Sequence, residues 1–110
     1  MKSLKTPLIF CCPPLLAGSL TETEAASAAV LFRVLGEPAR LQLVSLIAAQ
    51  PSGEVCACEL VESLGLSHPT VSHHLKVMYE VGLLSKERRG TWIYYQIVQA
   101  QLVSLRELLS

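Results

Sequence analysis

Residues 64–83 read Leu-Gly-Leu-Ser-His-Pro-Thr-Val-Ser-His-His-Leu-Lys-Val-Met-Tyr-Glu-Val-Gly-Leu, and this stretch decides the fold. Gly65 permits a turn. Ser67 is a strong helix N-cap, and Pro69 falls in the first helical turn, where a missing N–H costs little. Val71, Leu75 and Met78 recur at i, i+4 and i+7 and give one apolar stripe. The other side carries His68, Thr70, Ser72, His73 and Lys76. Gly82 is placed to end the helix in a left-handed cap. The spacing predicts a helix over 68–80. A buried stripe backed by small hydrogen-bonding side chains suits the reading of base edges in a DNA major groove. An ordinary amphipathic surface helix carries the same stripe, so the flanking segments have to decide.

On the C-terminal side, residues 84–97 read as two strands about Gly90. Ile93, Tyr95 and Ile97 alternate onto one face, in a run rich in β-branched and aromatic residues. Lys86, Arg88 and Arg89 crowd towards the hairpin tip. Such cations suit backbone phosphates, which supply affinity without sequence information. A solvated hairpin also uses them to keep an edge strand unpaired. On the N-terminal side, residues 56–64 read as the helix before the turn. A helix-turn-helix followed at once by a basic hairpin is a winged helix, mainly α with a small β-hairpin. The candidate DNA contacts are Ser67, His68, Thr70, Ser72, His73, Lys76, Lys86, Arg88 and Arg89.

The 110 residues suffice for one small domain. Hydrophobic residues make up 51 % and charged residues only 16 %. That is more aliphatic surface than a lone small domain hides, which implies burial between subunits. No apolar run reaches the length of a membrane span. Lysines precede an apolar patch at 4–17, but Cys11-Cys12-Pro13-Pro14 breaks it, which argues against a secretory signal. A cytoplasmic protein with no membrane partner is expected. The net charge is zero but uneven. Four cations face six anions before residue 65, whereas four face two over 65–98. The basic part coincides with the reading head.

Residues 1–20 show no period and contain Pro7, Pro13, Pro14 and Gly18, so they read as a flexible cysteine-bearing arm. The winged helix is assigned to 21–110. Thr21 and Glu24 form a capping-box pattern. The helix after it runs to about Leu35, with Ala25, Ala28, Ala29, Phe32 and Leu35 along its apolar side. Glu37-Pro38 opens a second helix, carrying Leu41, Val44, Ile47 and Ala48. A last helix over 99–109 carries Leu102, Leu105, Leu108 and Leu109. The first and last helices flank the reading unit. A seam through Phe32, Leu102, Leu105 and Leu109 would pair two copies and present two recognition helices to double-stranded palindromic operator DNA.

Four cysteines fall in two groups, Cys11-Cys12 and Cys56-Ala57-Cys58. In a cytosolic chain, clustered thiols point to a soft-metal or redox site rather than a disulfide framework. An all-thiolate set drawn from Cys11, Cys12, Cys56 and Cys58 favours As(III) or Sb(III) by softness. Zinc sites more often mix in His or carboxylate, or take four cysteines. A helix N-terminus favours thiolate. In a helix, Cys56 and Cys58 lie about 200° apart; in extended chain they share a face. Two readings of Cys58 follow. It is a ligand if the helix start unwinds, or a small buried core residue. No cysteine sits in a phosphate-type loop, and no Ser/His/Asp set lies outside the reading helix. Neither an enzyme nor an organic cofactor is expected.

Four stretches carry a family resemblance. They are Phe32-Arg-Val-Leu-Gly-Glu-Pro-Ala-Arg-Leu-Gln-Leu, Glu54-Val-Cys-Ala-Cys-Glu-Leu, Leu66-Ser-His-Pro-Thr-Val-Ser-His-His-Leu-Lys and Gly90-Thr-Trp-Ile-Tyr-Tyr. Over about residues 22–109 the chain resembles the ArsR/SmtB family of metal-responsive repressors. The resemblance implies a dimeric winged helix that represses a resistance operon. It also implies release from DNA when As(III) or Sb(III) binds cysteines at the start of the third helix. Where that box often has a third cysteine, this chain has Val61, and Cys11-Cys12 can make up the deficit. Similar arms in some actinobacterial arsenic repressors draw ligands from two subunits. His68 stands where Gln is usual. The acidic and His ligands of the family's zinc sensors are missing from 99–110, which offers only Glu107. A Cd(II)/Pb(II)-responsive repressor and a thiol-redox repressor remain the alternatives.

Overall fold

The computed structural model describes residues 14–110; Cys11 and Cys12 lie outside the described residues. Among the described residues a 3-10 turn, Leu15–Ala17, precedes five helices and three strands. Helix α1 spans Glu22–Leu35 and starts as its capping box requires. The Thr21 hydroxyl accepts from the Glu24 N–H at 3.1 Å, and the Glu24 carboxylate accepts from the Thr21 N–H at 2.8 Å. Helix α2 spans Pro38–Ala48, with Pro38 in its first turn and the Glu37 carboxylate accepting from the Ala39 and Arg40 N–H groups.

A short strand β1, Glu54–Cys56, comes next and leads directly into α3, Ala57–Leu64. Helix α4 spans His68–Glu80, as its spacing predicts, capped by Ser67. It buries Val71, Leu75 and Met78. Gly82 closes it at φ +83°. Its N–H donates to the Tyr79 carbonyl, and the Leu83 N–H donates back to Met78, the paired bonds of a left-handed helix stop. Strands β2, Leu84–Arg89, and β3, Trp92–Ile97, form the hairpin, turning at Gly90 with φ +66°. Helix α5, Gln99–Leu109, ends the chain.

The sheet is antiparallel in the order β1-β3-β2. Its inner face supplies Val55, Tyr95 and Leu84 to one core, shared with Leu31, Leu43, Ile47, Leu60, Leu75, Met78 and Leu108. No helix among the described residues is long and apolar enough to cross a membrane.

Four expectations change. The third helix does not begin at Cys56, which is the last residue of β1 and the N-cap of α3 in extended backbone, φ −77° and ψ 142°. Pairing with β3 holds it there. Helix α1 turns Ala28, Leu31 and Val34 inwards, leaving Ala25, Ala29 and Phe32 exposed. In α2, Leu43 enters the core and Leu41 stays exposed. Both helices are apolar on more than one side, so packing, not pattern, selects the buried stripe. The same holds for α5: Leu105, expected in the seam, is 5 % exposed and belongs to the core of its own chain. Gln101, one helical turn before it, is fully buried, and its amide has no hydrogen-bond partner among the described residues.

Candidate nucleic-acid interface and thiol site

Helix α4 presents His68, Thr70, Ser72, His73 and Lys76 on its exposed side, together with the cap residue Ser67. The Ser67 hydroxyl donates to Thr70 Oγ1 at 2.9 Å and accepts from the Thr70 N–H at 3.3 Å, so this pair shapes the helix start. The remaining exposed side chains are free of hydrogen bonds among the described residues.

Helix α4 is held from behind by residues that the periodicity left unassigned. Arg40 Nε donates to the Val34 carbonyl at 2.7 Å, and Arg40 Nη1 lies 3.3 Å from His74 Nδ1. A guanidinium only donates, so His74 Nδ1 is the acceptor in this contact. One arginine thus ties the end of α1, the start of α2 and the back of the recognition helix.

The hairpin separates its three cations. Lys86 Nζ lies 4.3 Å from the centroid of the Tyr79 ring on α4. Arg88 donates to the Gly90 carbonyl at the tip and has no carboxylate partner among the described residues. Arg89 is engaged. Its guanidinium grips both Glu54 oxygens at 2.5 and 2.8 Å and reaches Glu87 at 2.7 Å. These bonds hold the Glu54 carboxyl below its usual range, with help from Gln96, and raise the Arg89 guanidinium further. Trp92 is 54 % exposed and faces Arg89 across the turn.

The thiols meet at the head of α3. Cys56 Sγ and Cys58 Sγ are 2.8 Å apart, and both are free thiols. Cys56 is buried and Cys58 exposed, the reverse of a buried, inert Cys58. The extended backbone at Cys56 removes the helical divergence of the two side chains, so no unwinding is needed. The Glu59 carboxylate accepts from the Cys56 N–H at 3.0 Å and occupies the helix N-terminus. The hydrogen bond with Cys56 holds the Cys58 thiol above the ordinary cysteine range, with desolvation and the Glu59 charge acting the same way. At Cys58 the expected thiolate bias of a helix start does not prevail. Among the described residues no cluster of three or more His, Cys, Asp or Glu is poised for a metal ion. The pair is one ligand short of a three-thiolate set.

This chemistry yields a pH prediction. Alkylation of Cys58 by iodoacetamide should be slow at neutral pH and rise only above the usual thiol range, because the thiolate is the nucleophile. In Cys56→Ala the sulfur–sulfur hydrogen bond is gone, and the pH–rate profile of Cys58 should move to lower pH. A profile identical to that of the parent would show that the hydrogen bond does not govern ionisation.

On the exposed side of Phe32, 39 % open, and Leu109, 62 % open, apolar surface remains on α1 and α5. Leu102 is half-buried.

A helix-turn-helix followed by a β-hairpin wing is the frame of a DNA-binding regulator. Residues 37–86 match the model of the bacterial regulatory protein, arsR family. The chain is 33 % identical over 81 residues to an uncharacterized HTH-type transcriptional regulator of Methanocaldococcus jannaschii, covering 74 % of this chain and 89 % of that one. It is 38 % identical over 74 residues to the arsenic resistance transcriptional regulator ArsR1 of Pseudomonas putida, covering 67 % of this chain and 56 % of that one. Among solved structures, the AntR antimony-specific transcriptional repressor superposes with a TM-score of 0.69 at 33 % identity, covering 83 % of this chain and 78 % of that one. The chain belongs to the ArsR family of transcriptional regulators.

Proposed function

We propose that this regulator is a homodimeric repressor whose inducer is trivalent arsenic or antimony. The observation that carries the reading is the convergence of Cys56 and Cys58, 2.8 Å apart at the head of the first helix of the helix-turn-helix. Two soft donors on one short segment can seize one soft ion, and As(III) takes three thiolates. The third comes from Cys11 or Cys12 on the arm. An arsenic resistance transcriptional regulator and an antimony-specific repressor among the similar proteins support the choice of ion. The inducer-free dimer holds a palindromic operator with Ser72, His73 and Lys76 on the bases, and Phe32 and Leu109 lie in the seam. The metalloid-bound dimer holds DNA poorly, because the ion has a higher affinity for that state.

The wing takes part unequally. Arg88→Ala should weaken specific and random DNA alike and lower the slope of log affinity against log salt by about one. Arg89→Ala should leave that slope unchanged, since two carboxylates already neutralise its charge. Equal slopes for both variants would reject this division.

The sulfur–sulfur approach favours a second reading, in which peroxide takes two electrons and two protons from Cys56 and Cys58 to give a disulfide and water. A single assay separates the readings: release of a fluorescent operator by arsenite, antimonyl tartrate, Cd(II), Zn(II) and hydrogen peroxide in turn. Release by arsenite and antimonyl, but not by Zn(II), is expected. Release by peroxide or Cd(II) alone would replace the metalloid reading.

A further inference from the structure

One face of the small sheet joins the thiol pair to the wing. Residues paired across antiparallel strands project to the same side, as do residues two apart on one strand. Glu54 and Cys56 therefore share a face of β1, and opposite them on β3 stand Gln96 and Tyr94. Tyr94 is in turn opposite Glu87 on β2, and Arg89 follows two residues later on the same side. Arg89 closes the set. Its guanidinium lies 4.6 Å from the centroid of the Tyr94 ring, and Tyr94 is the residue paired with Cys56. It also grips Glu54, a residue 35 positions away in the chain but two from Cys56. Gln96 Nε2 donates to Glu54 Oε1 at 3.1 Å and fixes the carboxylate for its bidentate pair.

We propose that Glu54 is the positioning residue that couples the thiol site to the wing, acting through its bridge to Arg89. The proposal rests on the reading of Cys56 and Cys58 as the inducer site. Strand β1 has three residues, Glu54–Cys56, so its two ends cannot move independently. Drawing Cys56 towards an ion shared with the arm displaces β1, and Glu54 carries that displacement to Arg89 and the hairpin tip. The bridge is exposed, and an exposed ion pair contributes little to stability. Its value lies in direction: a forked guanidinium on a braced carboxylate transmits a change in orientation. The two states are a wing held by Glu54 and a wing released from it, and both DNA and metalloid bias that equilibrium.

The test is a double-variant cycle on the full-length dimer: parent, Glu54→Gln, Arg89→Gln and both together. Operator affinity is measured with and without arsenite, while arsenite uptake is followed by its thiolate absorbance. The parent ratio should fall in the range of about 5–150-fold typical of coupled sites. Each single variant should take up arsenite and show a ratio below about one third of the parent's. The double variant should fall no further, because both changes cut one bridge. Trp92, the single tryptophan, stands opposite Arg89 and reports on the wing without DNA. Arsenite should change its emission in the parent and not in Glu54→Gln. Variants that keep more than that third, or whose losses add, overturn the bridge while leaving the inducer reading intact. A parent that takes up no arsenite overturns both.

Discussion

Cys56→Ser and Cys58→Ser are each expected to hold the operator as the parent does and to stay on it in arsenite. The size of the effect is the whole response: a release of about 5–150-fold in affinity should vanish in both variants. The helical wheel alone argues for a milder Cys58 variant, because it places the two side chains on opposite sides. The extended backbone of Cys56 cancels that argument and brings the sulfurs to 2.8 Å. With both needed, three-thiolate capture leaves one position for the arm. The Cys11→Ser/Cys12→Ser double variant should also lose release, whereas one of the two single arm variants should retain it. Operator release by arsenite, read for each variant by fluorescence anisotropy, decides. Full release from Cys58→Ser would show that the pair does not act together. Full release from the double arm variant would remove the arm from the site.

Leu105→Glu is expected to unfold the protein, and Leu109→Glu to leave it folded but monomeric. Leu105 is 5 % exposed within its own chain. An unpaired carboxylate there costs several kcal/mol, of the order of the total stability of a small domain, about 5–15 kcal/mol. Loss of DNA binding by that variant would therefore say nothing about the dimer. Leu109 is 62 % exposed and Phe32 39 %, so charges there act on association rather than on folding. Circular dichroism melts should show no cooperative transition for Leu105→Glu and a near-parental one for Leu109→Glu. Sedimentation should find Leu109→Glu and Phe32→Glu monomeric. A stable dimer in both would move the seam off α1 and α5.

The reading helix was legible in the sequence because each of its signals is local. Ser67 starts it, Gly82 stops it, and Val71, Leu75 and Met78 recur within one helix; every bond involved spans a turn or two. The hairpin was legible for the same reason, since alternation along Ile93, Tyr95 and Ile97 and the turn at Gly90 lie in one continuous segment. Family membership followed from those same stretches.

What the sequence could not determine depends on partners far along the chain. Strand β1 is too short to show a period and exists through its pairing with β3. That pairing sets the backbone of Cys56, and with it the direction of both thiols. Arg89 reads as one of three equivalent wing cations, and only the fold places Glu54 beside it. Helices α1 and α5 carry apolar residues on several sides, so composition announced that they would be buried without saying which side. The sequence by itself determined the winged helix, because hydrogen bonds and apolar spacing within a segment are encoded there. Tertiary structure alone decided the geometry of the thiols, the wing bridge and the inward face of the outer helices. Each of those is settled by competition among contacts between distant segments, and no local pattern records the outcome.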